Sequence, residues 1–210
     1  MGRRSDPAAL RFRGRLCMRY TAAMRDCESG FTLIELMVTI AVISILAAIA
    51  VPSFFGETRK ATASAEVQPM FNDLRVRLEQ FLQENGTYPA TIGETTLYPA
   101  APSATPQALN PLPATWLAVK VRISGRDQVR CAYTWATGLA NASGNIGPIA
   151  SGDNTANPPL GFGFTAPATD WFYLLAKCDM DGINDGTDAT YSWYFSSSVD
   201  QDIKRLNEGK

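Results

Sequence analysis

The sequence predicts an α+β fold, with one long N-terminal α-helix, membrane-embedded in its first half, packed on a four-stranded antiparallel sheet. Three observations carry this. Residues 31–51 form an apolar run of bilayer length. Residues 67–82 repeat apolar side chains at three- and four-residue steps. Beyond residue 115, short segments alternate with a period of two between Gly-, Asn- and Pro-rich turns.

The first 30 residues read as a leader. Arg3, Arg4, Arg11, Arg13, Arg15, Arg19 and Arg25 stand against Asp6, Asp26 and Glu28, a net charge of about +4. Excess arginine before an apolar run holds that flank in the cytoplasm and leaves the bulk of the chain outside. Met18 and Met24 compete with Met1 as the start, and either gives a shorter leader. The whole chain has 19 basic and 20 acidic residues. Without the leader it is mildly acidic and has no broad basic face, so no nucleic-acid partner is predicted.

Gly30 to Pro52 reads GFTLIELMVTIAVISILAAIAVP. Phe31–Val51 is long enough to span roughly 30 Å of hydrocarbon as a helix. Thr32, Thr39 and Ser44 can bond back to the helix backbone at little cost. Glu35 is different, because a carboxylate within a membrane segment costs about 2.5–3.5 kcal/mol on insertion scales. A secretory signal peptide would have a shorter apolar core with its small-residue cleavage site after it. Here the run is longer and Gly30 precedes it, although Ala47, Ala48 and Ala50 imitate a conventional site. A plain anchor accounts for the length but not for Glu35 or the Gly30-Phe31 junction.

Gly30, Phe31, Thr32, Leu33, Glu35 and Pro52 together resemble the N-terminal signal of type IV pilins and type II secretion pseudopilins. The resemblance is specific from Gly30 to about Lys60 and weaker as far as Pro89. It implies the pilin fold and cleavage between Gly30 and Phe31 by a prepilin peptidase that also N-methylates Phe31. The new Phe31 amine is a cation about one turn from Glu35. In a staggered bundle, Glu35 of an incoming subunit pairs with the amine of its neighbour and favours one register. The partners implied are the peptidase/methyltransferase, other pilin subunits, an inner-membrane assembly platform and, before assembly, the lipid bilayer. Two features depart from the family: the leader is long, with Cys27, Glu28 and Ser29 before Gly30, and Ser44 replaces a mid-helix glycine.

Four segments follow: the leader at 1–30, the transmembrane and assembly half of the helix at 31–52, its amphipathic half at 53–86 and a β head at 87–210. In the third, Val67, Met70, Phe71, Leu74, Leu78, Phe81 and Leu82 make one apolar stripe. Asn72, Asp73, Arg75, Arg77, Glu79, Gln80 and Gln83 fall on the other face. Asn85-Gly86 ends the helix as a left-handed cap. Pro52 and Pro69 are expected to kink or locally melt it. Pro89 to Pro113 reads as an ordered connecting loop or a flexible linker. Trp116–Ser124, Val129–Thr137, Trp171–Cys178 and Thr190–Ser197 are the predicted strands. Gly125-Arg126-Asp127 is a turn, and Gly138 to Asp170 a long loop.

Cys17 and Cys27 leave with the leader. Cys131 and Cys178 remain in an exported head, where an even pair reads as a disulfide, with two free buried thiols as the alternative. The resemblance adds weight, since the family often carries one such bond. Asp179, Asp181, Asp185 and Asp188 lie in a glycine-broken segment that reads either as a polar turn or as a calcium loop. No cofactor is required by the sequence, and Ca²⁺ is the one candidate. The chain has no histidine, so imidazole-based catalysis is excluded, and no phosphate-binding glycine loop is present. The expectation is a structural subunit and not an enzyme. It builds a type IV pilus with a role in adhesion or motility, or a secretion pseudopilus, or else it is a non-polymerising anchored binding module.

Overall fold

The computed structural model describes residues 31–92, 97–121, 128–146, 162–183 and 191–209. The leader with Gly30, the Gly125-Arg126-Asp127 turn, and Asp185 and Asp188 lie outside these residues. Contacts divide the chain into two units, one ending at Ser44 and one beginning at Ile45.

The first unit contributes the start of helix α1, Leu33–Asn85. Leu33, Glu35, Leu36, Met37 and Ala41 are strong helix formers, the β-branched residues between them are weaker ones, and Thr32 caps the helix. Every residue from Phe31 to Ser44 is exposed, and the only polar side chains bond locally. Thr39 donates to the Leu36 carbonyl at 2.9 Å and Ser44 to that of Ile40 at 2.7 Å. Satisfied hydroxyls on an otherwise apolar helix suit a medium without water.

The second unit holds the rest of α1 and the head. Two short strands, β1 (Gln107–Ala108) and β2 (Gln128–Val129), pair antiparallel. Between them lies α2, Ala114–Ala118. The main sheet is β3 (Ala132–Gly138), β4 (Trp171–Cys178), β5 (Ser192–Ser197) and β6 (Lys204–Leu206). They are ordered β3-β4-β5-β6, all antiparallel. The α1 stripe (Ala63, Val67, Met70, Phe71, Leu74 and Leu78) packs on Tyr133, Trp135, Phe172, Leu174 and Tyr194 from one sheet face. Each such side chain contributes about 1.5–3 kcal/mol by leaving water. The alternate residues Trp171, Tyr173, Leu175, Trp193 and Phe195 form a second core under Phe162 and Phe164.

The stripe, the Asn85 helix end and β4 fall where the sequence placed them, and Gly86 takes φ +76°. The predicted strand Trp116–Ser124 is a correction. Its start is helical, because Pro113 sets the first turn and accepts from the amides of Trp116 and Leu117, each at 3.0 Å. Trp116 and Val119, three apart, are then buried while Leu117 is 59% exposed. The fourth strand is β6 instead. The α-helix also runs unbroken through Pro52 and Pro69. The carbonyls they free, Ala48 and Ala65, belong to exposed residues, so no buried acceptor is orphaned. Residues 89–113 are ordered where described. Ile92 donates to the Trp135 carbonyl, and Tyr98 bridges to Tyr133 along the outer edge of β3.

Candidate functional site

Three of the expected sites are placed by the structure, each to a different degree. The first is at the start of α1. Glu35 Oε2 accepts from the Thr32 amide at 3.2 Å and from Thr32 Oγ1 at 3.0 Å. The Glu35 amide donates to Thr32 Oγ1 at 3.2 Å. This is a capping box, with Thr32 as N-cap and Glu35 three residues on. The signal was open to reading, since Thr-x-x-Glu before an apolar run is its signature, yet Thr32 was not singled out. The box turns the Glu35 carboxylate back toward the N-terminus, the side on which Phe31 lies, and gives it local donors. Phe31 itself is 84% exposed. Gly30 lies outside the described residues.

The second is the cystine. Cys131 and Cys178 are bonded, and both are fully buried between the α1 stripe and the sheet. Beside it stands a group that the sequence reading missed. Glu66 is 5% exposed and sits within the apolar stripe. It accepts from the Arg130 amide at 2.9 Å, the Cys131 amide at 2.8 Å and the Tyr133 hydroxyl at 3.0 Å. A carboxylate among neutral donors thus ties α1 to Cys131 and to the chain that enters β3. The available signal was a glutamate between Ala63 and Val67 at stripe spacing.

The third is the aspartate segment. Asp179 Oδ1 accepts from the Gly182 amide at 2.7 Å and Asp181 Oδ1 from the Ile183 amide at 3.0 Å. Asp181 also faces Arg59 at 4.0 Å. These are turn contacts. Among the described residues no three metal-ligating side chains group together. Asp185 and Asp188, the other two expected ligands, lie outside them.

Comparison with known proteins bears on the first site. Residues 25–51 match the family described as the prokaryotic N-terminal methylation motif. Type II secretion system core protein G of Klebsiella pneumoniae is 35% identical over 83 residues, 40% of this chain and 59% of that protein. Its namesake in Escherichia coli (strain K12) is 34% identical over 85 residues, 40% of this chain and 58% of that protein. Type IV major fimbrial protein FimA of Dichelobacter nodosus is 41% identical over 61 residues, 29% of this chain and 38% of that protein. The chain therefore covers less than two thirds of each relative. No solved structure matches it. The resemblance read from the N-terminal residues is borne out: the chain carries a methylation-type segment, and its homologues are secretion protein G and type IV fimbrial proteins. Among the described residues there is one helix long and apolar enough to cross a membrane.

Proposed function

We propose that the chain is the precursor of a type IV pilus subunit, cleaved after Gly30, N-methylated at Phe31 and polymerised through the apolar half of α1. The observation that carries the reading is the lone carboxylate, Glu35, held by its capping box at the N-terminal end of an apolar helical segment, Leu33 to Phe55, in which every residue is exposed. Such a helix needs a hydrophobic environment, first lipid and then other copies of itself. The capping box offers Glu35 a local partner in the bilayer. In the filament, the cationic Phe31 amine of a neighbour is the stronger partner, because it brings a full opposite charge to the carboxylate in surroundings of low dielectric. The inner membrane holds the subunit by a single pass, with the head on the periplasmic side. The peptidase/methyltransferase and an assembly platform act on it there.

A second reading, a pseudopilin of type II secretion, is favoured by the 83-residue match to core protein G, which is longer than the 61-residue match to the fimbrial protein. Calcium at Asp179, Asp181, Asp185 and Asp188 belongs with either reading, and a rise in head melting temperature on adding Ca²⁺ would support it.

Mass spectrometry of the mature protein is the direct test, with N-methyl-Phe31 expected at the terminus. A mature chain starting elsewhere would end the reading. Glu35→Ala should still be processed but lose incorporation into filaments by about a hundredfold or more, the loss expected for one unpaired buried charge. A non-polymerising anchored module would be indifferent to that change. Deleting the gene separates the first two readings, through loss of surface filaments or loss of exported enzymes.

A further inference from the structure

Gln68, Asn72 and Arg75 follow at steps of four and three, which puts them on one face of α1 beside the buried Phe71. The chain that runs into β6 sets Gln201, Asp202 and Arg205 opposite them. Together they line a groove of about 480 Å³, inside the roughly 300–1,000 Å³ of small-molecule sites.

Arg75 is the anomaly in this groove. It is half-buried, and its guanidinium lies 5.7 Å from the centre of the Phe172 ring. It donates to the Ser197 carbonyl at 3.0 Å and to Ser196 Oγ, both neutral acceptors. Those bonds use two of the five N–H groups of a guanidinium. The carboxylates whose charge bears on it are engaged elsewhere. Glu79 accepts from the Tyr88 hydroxyl at 3.1 Å, and Asp200 pairs with Lys204 at 3.2 Å. Burial lowers the Arg75 pKa from its ordinary value, against the opposing pull of those acids. A cation that gives up water is ordinarily compensated by a carboxylate in contact. The groove is the open side from which an anion can supply one.

The rest of the lining narrows the choice of anion. Arg205 brings a second guanidinium, which also donates to Glu208 at 3.1 Å, and Asp202 brings one carboxylate. An excess of one positive charge suits a monoanion better than a phosphate dianion, which Asp202 would repel. Gln68, Asn72 and Gln201 are exposed carboxamides, each able to donate and to accept. With Asp202 as a further acceptor, they match a row of hydroxyls. A peptide of the same charge would need apolar anchors beside the cation. The apolar members of the lining are Phe71, 1% exposed, and half-buried Ile203. We infer that this groove binds a carboxylated sugar, a uronic-acid unit of an acidic polysaccharide, with its carboxylate on Arg75 and its hydroxyls on the carboxamides and Asp202. The groove lies within the second unit and does not depend on polymerisation, so its failure would leave the pilin reading intact.

The test is calorimetric titration of the full-length chain in nonionic detergent with two probes, tri-galacturonate and tri-mannuronate. At least one should bind saturably. Its methyl ester keeps the hydroxyls but loses the charge and should bind about tenfold or more weakly, the loss of one charge-assisted contact. Penta-glutamate, which keeps charge without hydroxyls, should also bind about tenfold or more weakly. Arg75→Gln should weaken binding of the trimer about tenfold or more. Arg205→Gln, at an exposed position, should weaken it about threefold. Arg75 also braces β5, so Arg205→Gln decides the matter if Arg75→Gln melts early. Lys120→Gln removes an exposed cation outside the groove and should change nothing. Failure of both trimers to bind would overturn the site. So would equal affinity for the ester or for penta-glutamate, wild-type affinity in Arg205→Gln, or a loss in Lys120→Gln that matches it.

Discussion

Glu66 shows how one residue joins two elements. It is a carboxylate on a buried stripe, and its partners are two peptide amides and a phenol. Removing it strands those donors, each costing about 1–3 kcal/mol. Glu66→Ala should therefore cost roughly 3–5 kcal/mol, a large share of a typical 5–15, read as a lower urea midpoint of the detergent-solubilised chain. Glu66→Gln keeps one acceptor and should lose clearly less; equal losses would mean that packing rather than hydrogen bonding dominates. Tyr194 is informative in another way. Burial, reinforced by nearby Glu208, pushes its phenol up to about 12. Below pH ~10 the phenol is neutral in both folded and unfolded chains. Above that the unfolded phenol ionises while the folded one holds its proton, so stability falls as pH rises toward about 12. Tyr194→Phe should flatten that alkaline loss, which urea unfolding across this range will show. Tyr88, also raised by burial with Glu79 beside it, leaves a residual slope.

At the scale of elements, the cystine and the sheet ends set what each strand tolerates. The Cys131–Cys178 bond closes a sequence separation of 47. Chain-entropy reasoning assigns such a loop about 4 kcal/mol. The Cys131→Ala/Cys178→Ala pair should lose stability of that order, and reducing agent should no longer shift its midpoint. At the end of β3, a Cβ on Gly138 would lie inside the Trp171 indole. Gly138→Ala should cost about 1–3 kcal/mol through overpacking. Legibility differed by element for physical reasons. The stripe from Val67 to Leu78 was readable because one helix face is buried and the other is not. β4 was readable in extent, but six consecutive apolar residues, Trp171 to Ala176, also announced burial on both faces. That second face, covered by Phe162 and Phe164, was missed because its cover is irregular chain without period. Leu117, Val119 and Val121 alternate like a strand, but Pro113 upstream had already started a helical turn. Three-residue β6 has no pattern to find. At the candidate site, Glu35 stood out as a charge in hydrocarbon, whereas Thr32 and Glu66 needed a partner in view before their roles were visible.

For the whole molecule, charge and apolar surface are kept apart along one helix. From Phe31 to Phe55 the only charged side chain is Glu35, and the large apolar residues are about half to four-fifths exposed. From Glu57 on, several charges pair within the chain, Lys60 with Glu57, Arg77 with Asp73 and Lys120 with Glu84. In the polymer proposed above, apolar packing of the helix holds the copies together, with few ionic contacts between subunits. Two solvents distinguish that from a polymer held by head charges. At about 1 M salt the screening length falls to ~3 Å, and exposed ionic contacts weaken, while apolar burial does not. Filaments should therefore stay sedimentable in about 1 M NaCl. Nonionic detergent should dissolve them, since it supplies the apolar helix with an alternative partner. The released subunits should keep folded heads, because the cystine and the two cores lie within the second unit and owe nothing to the neighbour. Sedimentation in the two solvents, followed by near-ultraviolet circular dichroism of the detergent fraction, measures both halves of the expectation. Release by salt with resistance to detergent would move the binding energy from the helix to the heads and leave Glu35 as the only part of the helix engaged in assembly.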